Sequence, residues 1–270
     1  MYCSYILVPS PSDVITLEIS ITGLMGGHSG DEIHKGFVNS IKLMTRILLD
    51  LSKHSKITLH QMNGGNLRNA IPREAYCIVT FPYENESAFI SAFETFRSHV
   101  INELSLTDPG VNLQIEKASM PDFVINRKSQ RKLLNALYAC PHGVMAMSFS
   151  MPGMVETSTN LASVKFIDDN KILITTSQRS DRNSSRFDVA NMVESVFALA
   201  GCDVVHSDGY PGWQPNPASP IMKHMATTYE RLFDTKPIVR SIHAGLECGL
   251  FLEKYPSIDM VSFGPTLRGV

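Results

Sequence analysis

A histidine set among glycines is the first feature of this 270-residue sequence that points to chemistry. His28 lies in the stretch Gly23-Leu24-Met25-Gly26-Gly27-His28-Ser29-Gly30, between a strand-like run and an amphipathic helical pattern. Glycine adopts backbone conformations that are closed to other residues, so this stretch predicts a shaped loop that presents the imidazole. The alternative is a histidine with a purely structural role in the loop. The residues alone leave both interpretations open.

Three further polar residues lie where strands or turns are predicted to end. Asn69, in Arg68-Asn69-Ala70-Ile71-Pro72, is either a turn residue or a binding amide. Glu156 is either a capping or hairpin residue or part of a site. Arg179 is a solvated charge unless it faces a pocket, where its planar guanidinium would suit a substrate carboxylate.

His243 and Glu247 form a second suggestive pair, in His243-Ala244-Gly245-Leu246-Glu247-Cys248-Gly249. They fall at a predicted strand-to-helix junction, the usual edge for sites in α/β sheets. A metal site here is disfavoured, because the second histidine of His-Glu-x-x-His and a third ligand are both lacking. Nucleophile-elbow, phosphate-loop and dinucleotide motifs are not found either. From the residues alone, no complete site is assembled.

Composition excludes several classes of protein. The formal net charge is −2 and no basic stripe occurs, which argues against a nucleic-acid-binding protein. No apolar run reaches the roughly 20 residues that span a bilayer, and the start of the chain lacks the basic segment of a signal peptide. The five cysteines are scattered without metal or disulfide spacing, which favours a reducing cytoplasm.

The elements that must position these residues follow an order of strand, helix, strand, strand, helix, strand. Val14–Ile21 alternates apolar and polar residues as a half-buried strand does, and a five-turn helix is expected from Ile33, Phe37, Ile41, Met44 and Leu48. Asp31 and Glu32 would lie in the first turn of that helix. The remaining elements are strands at 57–59, 74–81 and 111–115 and a helix over 89–104. This order predicts an antiparallel sheet with both helices on one face.

A less regular second copy is predicted in residues 133–205, with helices near 133–137 and 189–199 and strands at 144–149, 161–166, 172–176 and 203–205. Composition changes at the Pro/Gly-rich stretch 208–217, which marks a domain boundary. Beyond it, helices over 221–233 and 248–253 and strands at 237–242 and 258–263 are typical of an α/β layer. So short a segment cannot cover a parallel sheet alone, so we expect exposed apolar surface there.

Taken together, five motifs resemble the Xaa-His dipeptidases (aminoacyl-histidine dipeptidases, peptidase D), members of a di-zinc metallopeptidase group that also includes carnosinases and aminoacylases. They lie in the family's order along the chain: residues 23–30, Asn69-Ala70-Ile71-Pro72-Arg73-Glu74-Ala75, Val155-Glu156-Thr157-Ser158-Thr159-Asn160-Leu161, His243–Gly249 and Asp259-Met260-Val261-Ser262-Phe263-Gly264-Pro265. The resemblance implies an α+β lid and dimerisation domain over residues 1–211. Residues 212–270 would be an incomplete part of the α/β catalytic domain.

The resemblance also implies a function: a zinc-dependent, cytoplasmic, homodimeric enzyme that hydrolyses Xaa-His dipeptides. Two zinc ions would activate water and polarise the carbonyl. The family's zinc ligands are not matched in this chain, which would be a fragment without a metal site. His28 would stabilise the oxyanion in a partner subunit, Asn69 and Arg179 would hold the substrate carboxylate, and His243 and Glu247 would line the pocket. A catalytically dead fragment that acts as a dimerisation or binding module is the alternative.

Overall fold

A computed structural model of the chain describes residues 1–168, 170–214, 216–239 and 247–264. The strands in these ranges are Tyr2–Ser4 (β1), Leu7–Pro9 (β2), Val14–Thr22 (β3), Thr58–Gly64 (β4), Ala75–Pro82 (β5), Asn112–Lys117 (β6), Phe123–Ile125 (β7), Gly143–Met147 (β8), Val155–Ile167 (β9) and Lys171–Ser180 (β10). The α-helices are Ser40–Leu51 (α1), Glu86–Glu103 (α2), Arg127–Ala139 (α3), Asn183–Ala200 (α4), Pro220–Phe233 (α5) and Glu247–Lys254 (α6).

The main sheet has eight strands, and the paired strands run antiparallel. Their order is β1-β10-β9-β4-β5-β3-β6, and β8 pairs with β9. The only residue pair that joins β4 to β9 within the described chain is Gly64 with Val164. The sheet therefore consists of two sections, and the long strands β9 and β10 form the centre of the second one. Strands β2 and β7 pair separately.

Four helices form a layer on this sheet, because α2, α1, α3 and α4 contact one another in that order. The core lies between the layers. Alternation along β3 buries Leu17, Ile19 and Ile21, and the apolar stripe of α1 contributes the fully buried Ile41 and Met44. The predicted α+β fold, an antiparallel sheet packed against helices, is confirmed.

The first helix begins later than the apolar periodicity predicts. Residues Ile33–Lys35 form a short 3₁₀ turn that ends at Gly36, whose φ of 76° is left-handed. Helix α1 starts at Ser40, where the side chain of Asn39 accepts hydrogen bonds from the backbone amides of Ile41 and Lys42. The predicted five-turn helix with acidic residues in its first turn is therefore wrong. The periodicity is real, but a glycine and a strong N-cap divide it.

Several strands also differ from the predictions. Strands β1, β2 and β7 were not predicted, since three residues carry too little pattern. The predicted strand at 203–205 is reduced to one bridge between Tyr2 and Asp203. No strand occurs at 258–263, nor at 237–239; the rest of the predicted strand 237–242 lies outside the described residues. These segments carry apolar residues but find no strand partner within the described chain.

Two of the cysteines are joined. Cys3, on β1, and Cys202, after α4, form a disulfide across a sequence separation of 199 residues. The expectation that the cysteines lack a disulfide pair, drawn from their linear spacing, is therefore wrong for these two residues. Linear spacing could not reveal the pair, because the sheet brings the two ends of this domain together. Cys77, Cys140 and Cys248 are free.

The last described segment exposes much apolar surface. Helix α5 is amphipathic yet contains no buried residue. Leu232, Phe233 and Ile238 are each more than 60% exposed, and Phe263 is 79% exposed. The expected exposed apolar surface in residues 212–270 is confirmed within the described part. None of the described helices has the length and apolar character required to cross a membrane.

Candidate functional site

The loop that carries His28 is shaped by its glycines, as predicted. Gly23, Gly26 and Gly27 have φ values of 73°, 69° and 120°, which L-residues with side chains rarely adopt. The carboxylate of Glu32 then accepts hydrogen bonds from the backbone amide of His28, at 2.8 Å, and from Lys35. These two bonds, that from Lys35 first, lower the pKa of Glu32. Glu32, paired with Lys35, thus fixes the backbone of the loop at His28.

The imidazole of His28 is held at one nitrogen. Its Nδ1 accepts from the backbone amides of Gly30, at 3.3 Å, and Asp31, at 3.1 Å. A nitrogen that accepts carries no proton, so in the neutral ring the proton is on Nε2. The side chain is 41% exposed. His28 thus presents an N–H donor, Nε2, outward from a ring whose orientation is fixed.

A second loop runs alongside the first and carries Asn69. The backbone amide of Ser29 donates to the carbonyl of Asn69 at 2.8 Å, and the amide of Ile71 donates to the carbonyl of Gly27 at 2.8 Å. His28 and Ala70 form an isolated antiparallel bridge between these bonds. The Asn69 side chain is exposed. The structure therefore brings His28 and Asn69 to one edge.

Arg179, near the end of β10, reaches the same place. A Cβ placed on Gly30 would lie 2.9 Å from His28 Cε1 and 3.4 Å from Arg179 Nη1, so only a glycine leaves room between the two side chains. Burial lowers the pKa of Arg179, and the nearby carboxylate of Asp31 opposes this. The guanidinium of an arginine stays protonated in folded proteins. A partly buried cation lies beside the histidine.

Unpaired polar atoms concentrate around these residues. Of seven buried side-chain nitrogen and oxygen atoms without a hydrogen-bond partner in the described chain, four lie here: Ser29 Oγ, Asn160 Oδ1, Arg179 Nε and Asp181 Oδ1. Buried polar groups in folded proteins are nearly always paired, so such a cluster indicates a place where water or a ligand completes the bonding. Next to Arg179, an open cleft of about 890 Å³ extends along β10 and is also lined by Arg68, Gln178 and Arg186.

The run Thr157–Asn160 on β9 lies in one of the five motifs quoted above, but the sequence assigned no role to its residues. All four residues are polar and at most 2% exposed. Ser177 pairs with Asn160, and Arg179 pairs with Ser158, so Asn160 and Arg179 project from the same face of the sheet. Four consecutive polar residues in a strand are the signal that could have identified this face as part of the site.

The carboxylate of Glu156 is paired with an arginine side chain. Its carboxylate lies 3.3 Å from Arg182 Nε, and its backbone carbonyl accepts from the amide of Asp181. Burial raises the pKa of Asp181, and the neighbouring charge of Glu156 raises it further. The contacts of Glu156 match the structural interpretation better than the functional one.

The second predicted pair is not brought to the site by any described contact. Glu247 is the exposed first residue of α6, and His243 lies outside the described residues. The described part of the chain holds no group of three or more His, Cys, Asp or Glu side chains arranged to bind a metal. The described residues thus do not fit a zinc centre.

Comparison with known proteins gives a consistent result. Residues 15–107 match the family described as the peptidase dimerisation domain, M20 type. The cytosol non-specific dipeptidase of Escherichia coli is 38% identical over 259 residues, which cover 96% of this chain and 53% of the relative. The crystal structure of aminoacylhistidine dipeptidase from Vibrio alginolyticus superposes with a TM-score of 0.91 at 39% identity, over 98% of this chain and 54% of that one. The chain spans about half the length of these relatives.

Proposed function

Because residues 15–107 match the M20-type peptidase dimerisation domain and the chain is 38% and 39% identical to two dipeptidases, we propose that it belongs to this peptidase family and supplies the substrate-binding and dimerisation part of a dipeptidase. The proposed reaction is hydrolysis of a dipeptide, with Xaa-His dipeptides as the substrate class. The names of the relatives, a non-specific dipeptidase and an aminoacylhistidine dipeptidase, support this assignment. Residues 1–211 form the proposed lid and dimerisation domain, and 212–270 the proposed part of the catalytic domain.

The observation that carries the proposal is the position of Arg179 beside His28. Arg179 has an unpaired Nε and its guanidinium lies close to the imidazole of His28. The planar donor fork of an arginine suits the terminal carboxylate of a dipeptide. Asn69, on the neighbouring loop, is proposed to donate to the same carboxylate. His28 Nε2–H then serves as the donor to the oxygen that becomes negative when the peptide carbonyl is attacked. His243 and Glu247 are proposed to line the pocket on its other side.

Three properties complete the proposal. Two zinc ions, when bound to the whole protein, would supply the activated water, and their ligands would come from outside the described residues. The match to a dimerisation domain supports a homodimer in which His28 acts across the interface. The name of the E. coli relative supports a cytoplasmic location.

A non-catalytic dimerisation or binding module is the second candidate. It is favoured by the match of residues 15–107 to a dimerisation domain. The two candidates differ in one measurable property, zinc-dependent hydrolysis by the whole protein. The module would form dimers and bind dipeptides without cleaving them.

The decisive experiment compares Ala-His with Ala-histidinamide, which lacks the carboxylate, as substrates of the whole protein with zinc. We expect the wild type to prefer Ala-His about 100-fold in kcat/KM, because a charge-assisted pair is lost with the amide. The Arg179→Met variant should lose most of this preference, while Arg131→Met, a change at an exposed arginine of α3, should keep it.

Two outcomes would count against the proposal in different ways. An Arg179→Met variant that still discriminates between the two substrates would remove Arg179 from the carboxylate site. No zinc-dependent cleavage of either substrate, together with an intact dimer in sedimentation, would favour the module.

A further inference from the structure

Asn160 is a buried polar side chain that contacts the Asn69 loop of the site. It lies on β9 and is 1% exposed. Its Nδ2 donates to the backbone carbonyl of Ala70 at 2.8 Å and, more weakly, to that of Arg68 at 3.4 Å. These two carbonyls flank Asn69. Strand β9 thus holds the Asn69 loop by the carbonyls on both sides of the exposed Asn69.

The orientation of this amide is fixed by its partners. Both neighbours are carbonyl oxygens, so the NH₂ group must face them and Oδ1 must point away. Oδ1 is buried without a partner in the described chain. An unpaired buried acceptor is unfavourable, so Oδ1 carries a desolvation cost that the bonds of Nδ2 must offset. In return, the amide holds the Asn69 loop through two hydrogen bonds.

The Asn69 loop in turn contacts the loop of His28. Ala70, whose carbonyl Asn160 holds, is the bridge partner of His28, and the flanking bonds join Ser29 to Asn69 and Ile71 to Gly27. The contacts form one continuous path from β9 to the Asn69 loop and from there to the histidine loop. Arg179 projects from the same sheet face on the adjacent strand. The sheet therefore sets the positions of all three groups.

We propose that Asn160 is a positioning residue, which holds the Asn69 loop, and through it the His28 loop, in register with Arg179. Its effect on the two loops is independent of the activity, whereas its consequence for catalysis rests on the proposed function. It does not touch the dipeptide in this proposal. Asn160→Asp is the sharpest change, because it keeps the shape but replaces the NH₂ donor by an oxygen that repels the two carbonyls.

Asn39→Asp is the matched control. Asn39 is 2% exposed, and its Nδ2 donates to another backbone carbonyl, that of Leu161, on the same strand β9. Its Oδ1 caps α1, a role that aspartate fulfils equally well. Both variants thus lose one buried amide donor and gain one buried carboxylate, but only Asn160→Asp releases the loops.

Hydrogen exchange on the 270-residue chain tests the proposal without any assay of activity. In Asn160→Asp, the amides of Ser29 and Ile71 should exchange about tenfold faster or more, because the loops open more often. In Asn39→Asp, they should keep the wild-type rate. If Asn160→Asp fails to fold, Asn160→Ser replaces it, since a hydroxyl is too short to hold both carbonyls and should give a smaller acceleration.

Unchanged exchange at Ser29 and Ile71 in a folded Asn160 variant would overturn the proposal, as would equal acceleration in Asn39→Asp. A second readout applies to the whole protein. Asn160→Asp should lower kcat/KM for Ala-His about tenfold, and most of that loss should vanish in an Asn69→Ala background. A full loss in that background would show that Asn160 does not act through the Asn69 loop. Absence of hydrolysis by the wild type would defeat the proposed function alone, since the exchange result stands apart from it.

Discussion

At the scale of single residues, the site depends on which polar atoms of each side chain are not already bonded within the protein. His28 uses Nδ1 to bind its own loop and keeps Nε2 available, and Gly30 is small enough to let Arg179 approach the imidazole. The position of His28 and Asn69 on loops was predictable from the surrounding glycines and turn, whereas the residues alone left their roles open. Arg179 was ambiguous, since only the fold decides whether a strand-end arginine faces a pocket. Asn160 was missed, because the partners of a buried amide are backbone groups distant in sequence.

A second histidine allows a prediction about pH. His142 is partly buried, its Nδ1 accepts from the backbone amide of Leu161, and this atom lies 3.4 Å from the side-chain Nδ2 of Asn39. Burial, with a smaller contribution from the charge of Lys42, lowers its pKa to about 4. The unfolded chain takes up a proton near pH 6.5, well before the folded chain does. Protonation therefore favours unfolding, and stability is lost as pH falls from about 6.5 towards 4.

The measurement is urea unfolding at pH 7 and at about pH 4.5. From this residue we expect a loss of about 2 to 3 kcal/mol in the free energy of unfolding. In His142→Gln, which cannot titrate, that part of the pH dependence should disappear. In His54→Gln, at an exposed position, it should persist. An identical pH dependence in wild type and His142→Gln would refute the assignment.

At the scale of elements, the helices are defined by side chains that reach across to other elements. Asn39 both caps α1 and donates to the carbonyl of Leu161 on β9, which explains why the helix begins there and not at the earlier apolar residues. The periodicity of Ile41, Met44 and Leu48 predicts the buried face correctly. It cannot predict the start, because Gly36 and the contact to β9 decide that. Strands β3, β5 and β9 were predictable for a similar reason: their apolar residues face the helix layer.

Lys42 provides a prediction at this scale. From α1 its Nζ donates to the carbonyls of Leu137, Tyr138 and Cys140, the unpaired acceptors at the end of α3. Burial lowers the pKa of this amine. Lys42→Met keeps the apolar stem but leaves those carbonyls without a donor. The free energy of unfolding should fall by about 1 to 3 kcal/mol in urea titrations.

Lys56→Met, a change in the exposed loop after α1, should stay within about 0.5 kcal/mol of the wild type. Equal stability of the Lys42 and Lys56 variants would mean that water satisfies the end of α3 as well as the lysine does.

At the scale of the whole molecule, the sheet brings distant parts of the chain together, and this is what sequence patterns could not supply. The order of the helices and strands was largely predictable from periodicity. The pairing of β1 with β10 was not, nor was the Cys3–Cys202 bridge that secures it. Neither contact leaves a local signal. The exposed apolar surface of the last segment was predictable, since a few short elements cannot cover one another.

The bridge predicts a response to reductant. Cross-links that close long loops restrict the unfolded chain, so opening this one should lower the free energy of unfolding by about 2 to 4 kcal/mol. Urea titrations with and without dithiothreitol should differ by that amount for the wild type and for Cys248→Ser, which alters a free cysteine. Cys3→Ser should be less stable and insensitive to the reductant. If the stability of the wild type did not change with reductant, the bridge would not be formed in solution.

The pairing of β1 with β10 also has a consequence for how the protein is made. Tyr2 is aligned with Leu173, so the first strand is synthesised long before its partner. At typical translation rates of about 5 to 20 residues per second, β1 waits roughly 10 to 30 seconds as an unpaired edge on the ribosome. In that interval the β3-β4-β5-β6 section can already fold, whereas β1 is free to pair with a neighbouring nascent chain. Expression yield should therefore respond to translation speed and to chaperones that bind short exposed strands.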